Sequence, residues 1–266
     1  MSSSFRGTAR AVVELAYSEF GRPDGAPLII LHGFFASSRN WKFIAEKLAA
    51  LHHVFVVDLR NHGASPHHPV MDYPIMAEDI RMFMAQRGLT KASLLGHSMG
   101  GKVAMWLALT YPDVVNKLII ADIAPITYSH SFEKTISLLK MLPLATISNR
   151  KQAEEILAPE IPELSYRQFL LQNLVLHEGH YQWRIDLNIF GRSAPNIVGF
   201  PDTLNRAPYP HSALFIAGSE SNFVKAEAVF PLFPQAQLKA LAGAGHWLHV
   251  QQPENFSEAV LDFLRA

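Results

Sequence analysis

The chain of 266 residues has no cysteine, no net formal charge and no long apolar run. Without cysteine, disulfide bonds, thiol nucleophiles and thiolate metal sites are excluded. Lysine plus arginine number 23, as do aspartate plus glutamate, so no attraction to nucleic acid or to an acidic membrane surface is expected. No run approaches the ~18 apolar residues of a transmembrane helix, and residues 1–10 lack the apolar segment of a signal peptide. These absences predict a soluble, cytoplasmic protein that binds neither nucleic acid nor a membrane.

Apolar residues make up 49% of the chain and charged residues 17%, a composition typical of a globular protein. Short apolar runs alternate with segments whose apolar residues recur at helical spacing. We expect strands at Ala9–Ser18, Leu28–Leu31, Val54–Val57, Ala92–Leu95, Leu118–Ala121, Leu214–Ala217 and Gln237–Leu241. The alternation predicts an α/β fold, in which a mostly parallel central sheet carries helices on both faces.

This alternation stops after Pro125. Helices are predicted at Phe132–Met141, Lys151–Leu157 and Tyr166–Leu176, and an extended segment at Tyr181–Leu187. We interpret this block as a helical cap inserted above the carboxyl edge of the sheet. The predicted division is a first core segment at residues 1–126, the cap at 127–207 and a second core segment at 208–266.

The sequence Gly96-His97-Ser98-Met99-Gly100 lies between a predicted strand and a predicted helix. A sharp strand-to-helix turn holds its central residue in a strained conformation and leaves room for little more than glycine on either side. That turn exposes the serine hydroxyl at the edge of the sheet, beside the positive end of a helix. The motif predicts Ser98 as a nucleophile rather than as a helix N-cap.

A serine hydroxyl needs a base to act as a nucleophile at neutral pH, and histidine is the common choice. The sequence supplies His246 in the glycine-flanked loop Gly243-Ala244-Gly245-His246-Trp247. The histidine in turn needs an acceptor, usually a carboxylate, to fix its tautomer. Asp122, after a predicted strand, and Glu220, in the loop after a later strand, both lie where a carboxylate could meet His246.

The order of these segments resembles the α/β-hydrolase family, and within it the small serine esterases with a three-helix cap. The resemblance covers nearly the whole chain. It rests on five stretches in the family's order: His32-Gly33-Phe34-Phe35, Val57-Asp58-Leu59-Arg60-Asn61-His62-Gly63, Gly96-His97-Ser98-Met99-Gly100-Gly101-Lys102, Asp122-Ile123-Ala124-Pro125 and Gly243-Ala244-Gly245-His246-Trp247.

The resemblance also implies roles for individual residues. Most members place the acid in a Gly-x-x-Asp loop after the cap, where this chain has Gly218-Ser219-Glu220-Ser221. The capped esterases instead use the position of Asp122, so we assign Asp122 as the acid and Ser221 as an auxiliary hydrogen-bond partner, with Glu220 as the alternative acid. The two backbone N–H groups of the oxyanion hole belong to Phe34 and Met99 by the same resemblance.

Three aromatic residues in loops near these positions, Phe35, Phe223 and Trp247, are predicted to border an apolar substrate pocket. The histidine pairs His177/His180 and His246/His249 lack a carboxylate at supporting spacing, so no metal or cofactor is predicted. The expected partner is a small-molecule ester or thioester, and the expected state a monomer or weak homodimer.

The resulting hypothesis is a serine esterase that forms an acyl-enzyme on Ser98, with His246 as base and Asp122 as acid. Two alternatives stay open. One is a carbon–carbon bond hydrolase or cofactor-free haloperoxidase of the same fold, since these keep the serine nucleophile. The other is a homologue that binds a ligand without catalysis, because the fold alone does not fix function.

Overall fold

The computed structural model describes residues 11–266. The strands are β1 Tyr17–Phe20, β2 Ala26–Leu31, β3 His52–Val57, β4 Ala92–His97, β5 Val115–Ala121, β6 Leu174–His177, β7 His180–Trp183, β8 Ala213–Gly218 and β9 Ala236–Leu241. The helices are α1 Lys42–Leu48, α2 Tyr73–Gln86, α3 Met99–Thr110, α4 Glu133–Lys140, α5 Arg150–Leu157, α6 Leu164–Leu171, α7 Leu187–Val198, α8 Ala226–Val229, α9 Leu248–Gln251 and α10 Pro253–Arg265.

Seven strands form one sheet in the order β1-β3-β2-β4-β5-β8-β9, and all its neighbours except the pair β1–β3 are parallel. The sheet is covered on both faces, because successive side chains of a strand point to opposite sides. In β2, Ile29 and Leu31 belong to the apolar cluster that contains α2 and α3, whereas Leu28 and Ile30 belong to the cluster that contains α1 and α10. The predicted fold class is therefore confirmed.

The first strand differs from its prediction. Ala9 and Arg10 lie outside the described residues, and the strand begins at Tyr17. Side chains bind the N–H groups of the preceding backbone: the N–H of Val13 donates to Asp79 Oδ1 at 2.9 Å, and the N–H of Ala16 donates to Ser65 Oγ at 2.9 Å. The carbonyl of Ala16 accepts from the N–H of Asp58, directly after β3, at 2.9 Å. The backbone groups of an extended segment can form hydrogen bonds with side chains or with a neighbouring strand. The alternating hydrophobic pattern is the same in both cases, so it does not show where the strand begins.

The cap region contains a two-stranded hairpin and a helix that the sequence analysis did not predict. The helix expected at Tyr166–Leu176 is wrong at its end, since α6 stops at Leu171 and the following residues form the hairpin β6–β7. Glu178 and Gly179 turn this hairpin, both with positive φ, at 49° and 81°. A fourth helix, α7, follows Asp186, whose carboxylate accepts hydrogen bonds from two first-turn N–H groups. The sequence predicts an extended segment at Tyr181–Leu187, but the strand β7 ends at Trp183 and α7 begins at Leu187.

The cap segments connect β5 to β8, which are neighbours in the sheet. The boundaries at 126/127 and 207/208 stay predictions. In the described part of the chain, no helix has both the length and the apolarity needed to cross a membrane.

Candidate active site

Ser98 lies at the turn from β4 to α3, with φ 51° and ψ −118°. This conformation is strained for a residue with a side chain, and such strain persists only where the surroundings enforce it. The sheet enforces it here, because the N–H of Ser98 donates to the carbonyl of Ala121 at 3.1 Å and thus continues the β4–β5 pairing. The structure thus places Ser98 at the carboxyl edge of the sheet, half-buried.

The glycines of the motif are required by close backbone contacts. A Cβ atom on Gly100 would lie 2.3 Å from the carbonyl oxygen of Leu31, and one on Gly96 would lie 2.4 Å from that of Gly100. No side chain fits at such distances, so α3 can pass this close to the sheet only with glycine at both positions.

The structure brings Asp122, His246 and Ser221 together. Asp122 is fully buried, and its Oδ2 lies 2.8 Å from His246 Nδ1 and 2.5 Å from Ser221 Oγ. Its other oxygen, Oδ1, accepts a hydrogen bond from the N–H of Gly218 at 3.1 Å. These donors compensate the buried carboxylate for the water it has lost.

The alternative acid, Glu220, has an exposed side chain, although its loop is next to the site.

Ser98 and His246 form walls of the same two cavities. Within residues 11–266, Ser98 Oγ makes no hydrogen bond to the imidazole of His246. In unliganded sites such bonds are often long and tighten when substrate binds.

Phe34 and Met99 flank the space in front of Ser98. Met99 is the first residue of α3, so its N–H has no intrahelical acceptor. The backbone of Gly33, which precedes Phe34, packs beside the nucleophile: a Cβ on Gly33 would lie 3.4 Å from Ser98 Cβ. The neighbouring His32 is buried, accepts from the N–H of Leu59 at 3.0 Å and donates Nδ1–H to the carbonyl of Gly33 at 2.8 Å. The loop that carries Phe34 is therefore held in place.

His97 supports the loop of His246. Its Nε2 lies 2.8 Å from the carbonyl oxygen of His246, which makes this nitrogen the donor. Burial, with smaller contributions from His249 and His246, lowers the pKa of His97 well below its usual range, so the ring is neutral near pH 7. These contacts give His97 a structural role in the loop of His246.

Two cavities meet at Ser98 and His246. The large cavity, of about 390 Å³, is lined among others by Phe35, Trp41, Phe169 and Trp247. The small cavity, of about 200 Å³, is lined among others by Lys102, Tyr128, Ile197 and Phe223. The three aromatic residues predicted to border a pocket, Phe35, Phe223 and Trp247, thus all line one cavity or the other.

Several cavity residues were not predicted. Phe132 and Tyr166 come from the cap and line both cavities, and Lys102 and Tyr128 line the small one. A lysine inside the apolar α3 sequence was the one signal available for Lys102, since a charged residue in a buried helix needs a partner. Within the described residues, no cluster of three or more ligating side chains could hold a metal ion.

A mostly parallel sheet with a strained serine at a strand-to-helix turn, and a buried carboxylate bound to a loop histidine, defines the class of α/β hydrolases. The comparison with family models agrees: the alpha/beta hydrolase fold model matches residues 26–253, and the chain belongs to this family. The resemblance inferred from the sequence motifs is confirmed.

Relatives cover most of the chain. The "sn-1-specific diacylglycerol lipase ABHD11" of Danio rerio is 38% identical over 267 residues, spanning 95% of this chain and 83% of the relative. "Esterase YbfF" of Escherichia coli K12 is 34% identical over 246 residues, spanning 91% of this chain and 94% of the relative. Among solved structures, "Marine microorganism esterase" is 39% identical with a TM-score of 0.90 and covers 94% of this chain and 99% of its own.

Proposed function

We propose that the protein is a serine esterase that hydrolyses carboxylic esters with apolar groups through an acyl-enzyme on Ser98. The relatives named above are called esterase or lipase, and at that level the prediction of a carboxylic ester hydrolase is confirmed. The roles of individual residues are our proposal, and the geometry of the site supports them.

In the first half of the reaction, Ser98 Oγ attacks the ester carbonyl and its proton passes to His246 Nε2. The N–H groups of Phe34 and Met99 stabilise the negative charge that develops on the carbonyl oxygen. Collapse of the tetrahedral intermediate expels the alcohol, which takes the proton from His246. In the second half, His246 removes a proton from water as the water attacks the acyl-enzyme, and then returns that proton to Ser98 Oγ as the bond to the acyl group breaks and the carboxylic acid leaves.

The observation that carries the proposal is the buried carboxylate of Asp122, bound at 2.8 Å to His246 Nδ1. This contact fixes the proton on Nδ1 and leaves Nε2 free to accept the proton of Ser98. Ser221 Oγ, at 2.5 Å from the same carboxylate oxygen, holds the carboxylate in this orientation.

Apolar walls favour an ester with hydrophobic groups. Aromatic rings surround both cavities, with Phe34 stacked on Phe190 at a centroid distance of 4.5 Å and Phe169 packed 5.4 Å from Trp247. Diacylglycerol, the substrate named for the Danio rerio relative, is therefore a sensible member of the test set. A thioester passes through the same tetrahedral intermediate and belongs there as well.

The test is hydrolysis of a 4-nitrophenyl ester series, with diacylglycerol and an acyl thioester as further arms, together with labelling by a fluorophosphonate. Ser98→Ala should abolish turnover and labelling, whereas the matched control Ser212→Ala, an exposed serine before β8, should retain both. A wild type that reacts with the fluorophosphonate but hydrolyses no ester in any arm would favour a carbon–carbon bond hydrolase. If the wild type neither labels nor hydrolyses, the ligand-binding alternative is favoured.

A further inference from the structure

Lys102 is a buried cation beside the proposed nucleophile. It follows Ser98 by one helical turn, and its N–H donates to the Ser98 carbonyl at 3.1 Å. Only 1% of the residue is exposed, and it lines the small cavity together with Ser98. Burial lowers the pKa of Lys102 to about 7, and no carboxylate in the described part of the chain offsets that effect. Such a group needs other polar partners to be tolerated.

The partners are carbonyl groups at the C-terminal end of the cap helix α7. Lys102 Nζ donates to the carbonyl oxygens of Val198 at 2.9 Å and Gly199 at 2.6 Å. The last carbonyls of a helix have no intrahelical donor and carry a partial negative charge, which favours a cation at this end. The side chain thus joins the helix that follows the nucleophile to the cap.

Tyr73 and Tyr128 bind the same end of α7. Tyr73 Oη, from α2, donates to the carbonyl of Ile197 at 2.5 Å, and the N–H of Tyr128 donates to that of Val198 at 3.0 Å. Three consecutive carbonyls are therefore held by Lys102, Tyr73 and Tyr128. The rings of Tyr128 and Tyr73 also face the ammonium, with centroids 4.7 and 5.7 Å from Nζ.

This anchoring point forms part of the wall of the small cavity, because Lys102, Tyr128 and Ile197 all line it. Two of the three ammonium protons are donated to carbonyls, and a tyrosine face covers the group on another side. The ammonium is thus satisfied by the protein itself, which argues against a countercharge waiting for an anionic substrate.

We propose that Lys102 is a positioning and specificity-determining residue: it fixes the C-terminal end of α7 against α3 and thereby sets the size of ester group that the small cavity accepts. This inference rests on the proposed ester hydrolysis at Ser98. In an apolar pocket, one methylene group changes kcat/KM by roughly 10–200-fold, so a small displacement of this wall should be measurable.

The test compares Lys102→Met with a matched control, Lys117→Met. Lys117 makes the same kind of contact far from the site: its Nζ donates to the carbonyl of Phe263, near the end of α10, at 3.1 Å and lies 5.1 Å from the centroid of the Phe263 ring. Tyr73→Phe is the second variant, because it removes one hydrogen bond to α7 with little change of shape.

Two ester series are measured, one with growing acyl groups on 4-nitrophenol and one with growing alcohols on acetate. In each series, one ester is the smallest that the wild type hydrolyses poorly because of its size. In Lys102→Met, kcat/KM for that ester, divided by kcat/KM for the smallest ester of the series, should be about tenfold higher than in the wild type, mainly through a lower KM. Tyr73→Phe should act in the same direction, and Lys117→Met should leave both profiles unchanged. Fluorophosphonate labelling of Ser98 should persist in all three.

Amide hydrogen exchange supplies a readout that does not depend on activity. Exchange in α7 should increase in Lys102→Met and Tyr73→Phe relative to wild type, without a comparable change in α3. The inference is overturned if either variant, Lys102→Met in its folded form or Tyr73→Phe, leaves both readouts unchanged. These readouts are the two ester size profiles and the amide exchange in α7. A wild type that hydrolyses no ester would instead overturn the proposed function, and the exchange data would still test the anchoring of α7.

Discussion

Replacement of Asp122 by asparagine is the sharpest test of the proposed acid. The carboxylate accepts three hydrogen bonds, from Gly218 N–H on Oδ1 and from Ser221 Oγ and His246 Nδ1 on Oδ2. An amide has one acceptor oxygen and one NH₂ group. If the oxygen keeps the Gly218 contact, the NH₂ group faces His246 Nδ1 and forces the proton onto Nε2, which then cannot accept the proton of Ser98. If the amide is reversed, its NH₂ group meets the N–H of Gly218, and the negative charge is lost in either case.

The expected loss in kcat for Asp122→Asn is about 10³–10⁴-fold, the range for a triad histidine held in the wrong tautomer or left without its carboxylate. Ser221→Ala removes one of the three donors and leaves the carboxylate bound by His246 and Gly218, so we expect a loss of about tenfold, equivalent to ~1.4 kcal/mol. Glu220→Gln should have no effect, because that side chain is exposed.

The assay is steady-state hydrolysis of a short 4-nitrophenyl ester, with thermal unfolding to verify that each variant is folded. Ser221 Oγ lies 2.5 Å from Asp122 Oδ2. The double variant Asp122→Asn/Ser221→Asp therefore places a new carboxylate next to the position of the one it removes, and it should recover part of the activity. If Asp122→Asn retains more than about a tenth of wild-type kcat, or if Glu220→Gln loses as much as Asp122→Asn, the assignment of the acid is wrong.

Three further predictions concern stability. Gly100→Ala should lower the unfolding free energy by about 1–3 kcal/mol or prevent folding, because its Cβ would lie 2.3 Å from the Leu31 carbonyl oxygen. Arg60→Met should cost about 3–5 kcal/mol in urea unfolding, since it leaves the fully buried partner Asp79, now 2.6 Å from the guanidinium, without a countercharge. Burial and the neighbouring His246 lower the pKa of His249 to about 3. The unfolded state therefore binds more protons below pH ~6.5, and the unfolding free energy should fall by up to ~1.4 kcal/mol per pH unit as the pH drops towards 3.

Each of these predictions has a matched control. Gly191→Ala also replaces a glycine inside a helix, but its Cβ would meet nothing closer than 3.7 Å, so it should cost less than Gly100→Ala. The double variant Arg60→Met/Asp79→Leu should recover much of the loss, and failure to do so would refute the isolated-charge explanation. His249→Gln should reduce the slope of stability against pH; an unchanged slope would exclude His249 as a contributor.

The sheet and the nucleophile turn could be predicted from the sequence because both depend on local patterns. Strands buried on both faces are continuous apolar runs, and the strained turn at Ser98 requires glycines at fixed spacing. The cap was predicted less well. The end of α6, the hairpin and α7 depend on packing against the core and on single capping residues such as Asp186, which short polar segments do not reveal.

By itself, the sequence determined the order of strands and helices, the position of Ser98 and the presence of a histidine and two carboxylates near the strand ends. Only the tertiary structure shows which of those carboxylates contacts His246, because Asp122 and His246 are 124 residues apart and meet only when β5, β8 and the histidine loop share one edge of the sheet. It also decided the place of Lys102. The sequence does not show what a lysine in an apolar helix contacts. One partner of Lys102 is a backbone carbonyl 96 residues away, and every residue type has such a carbonyl.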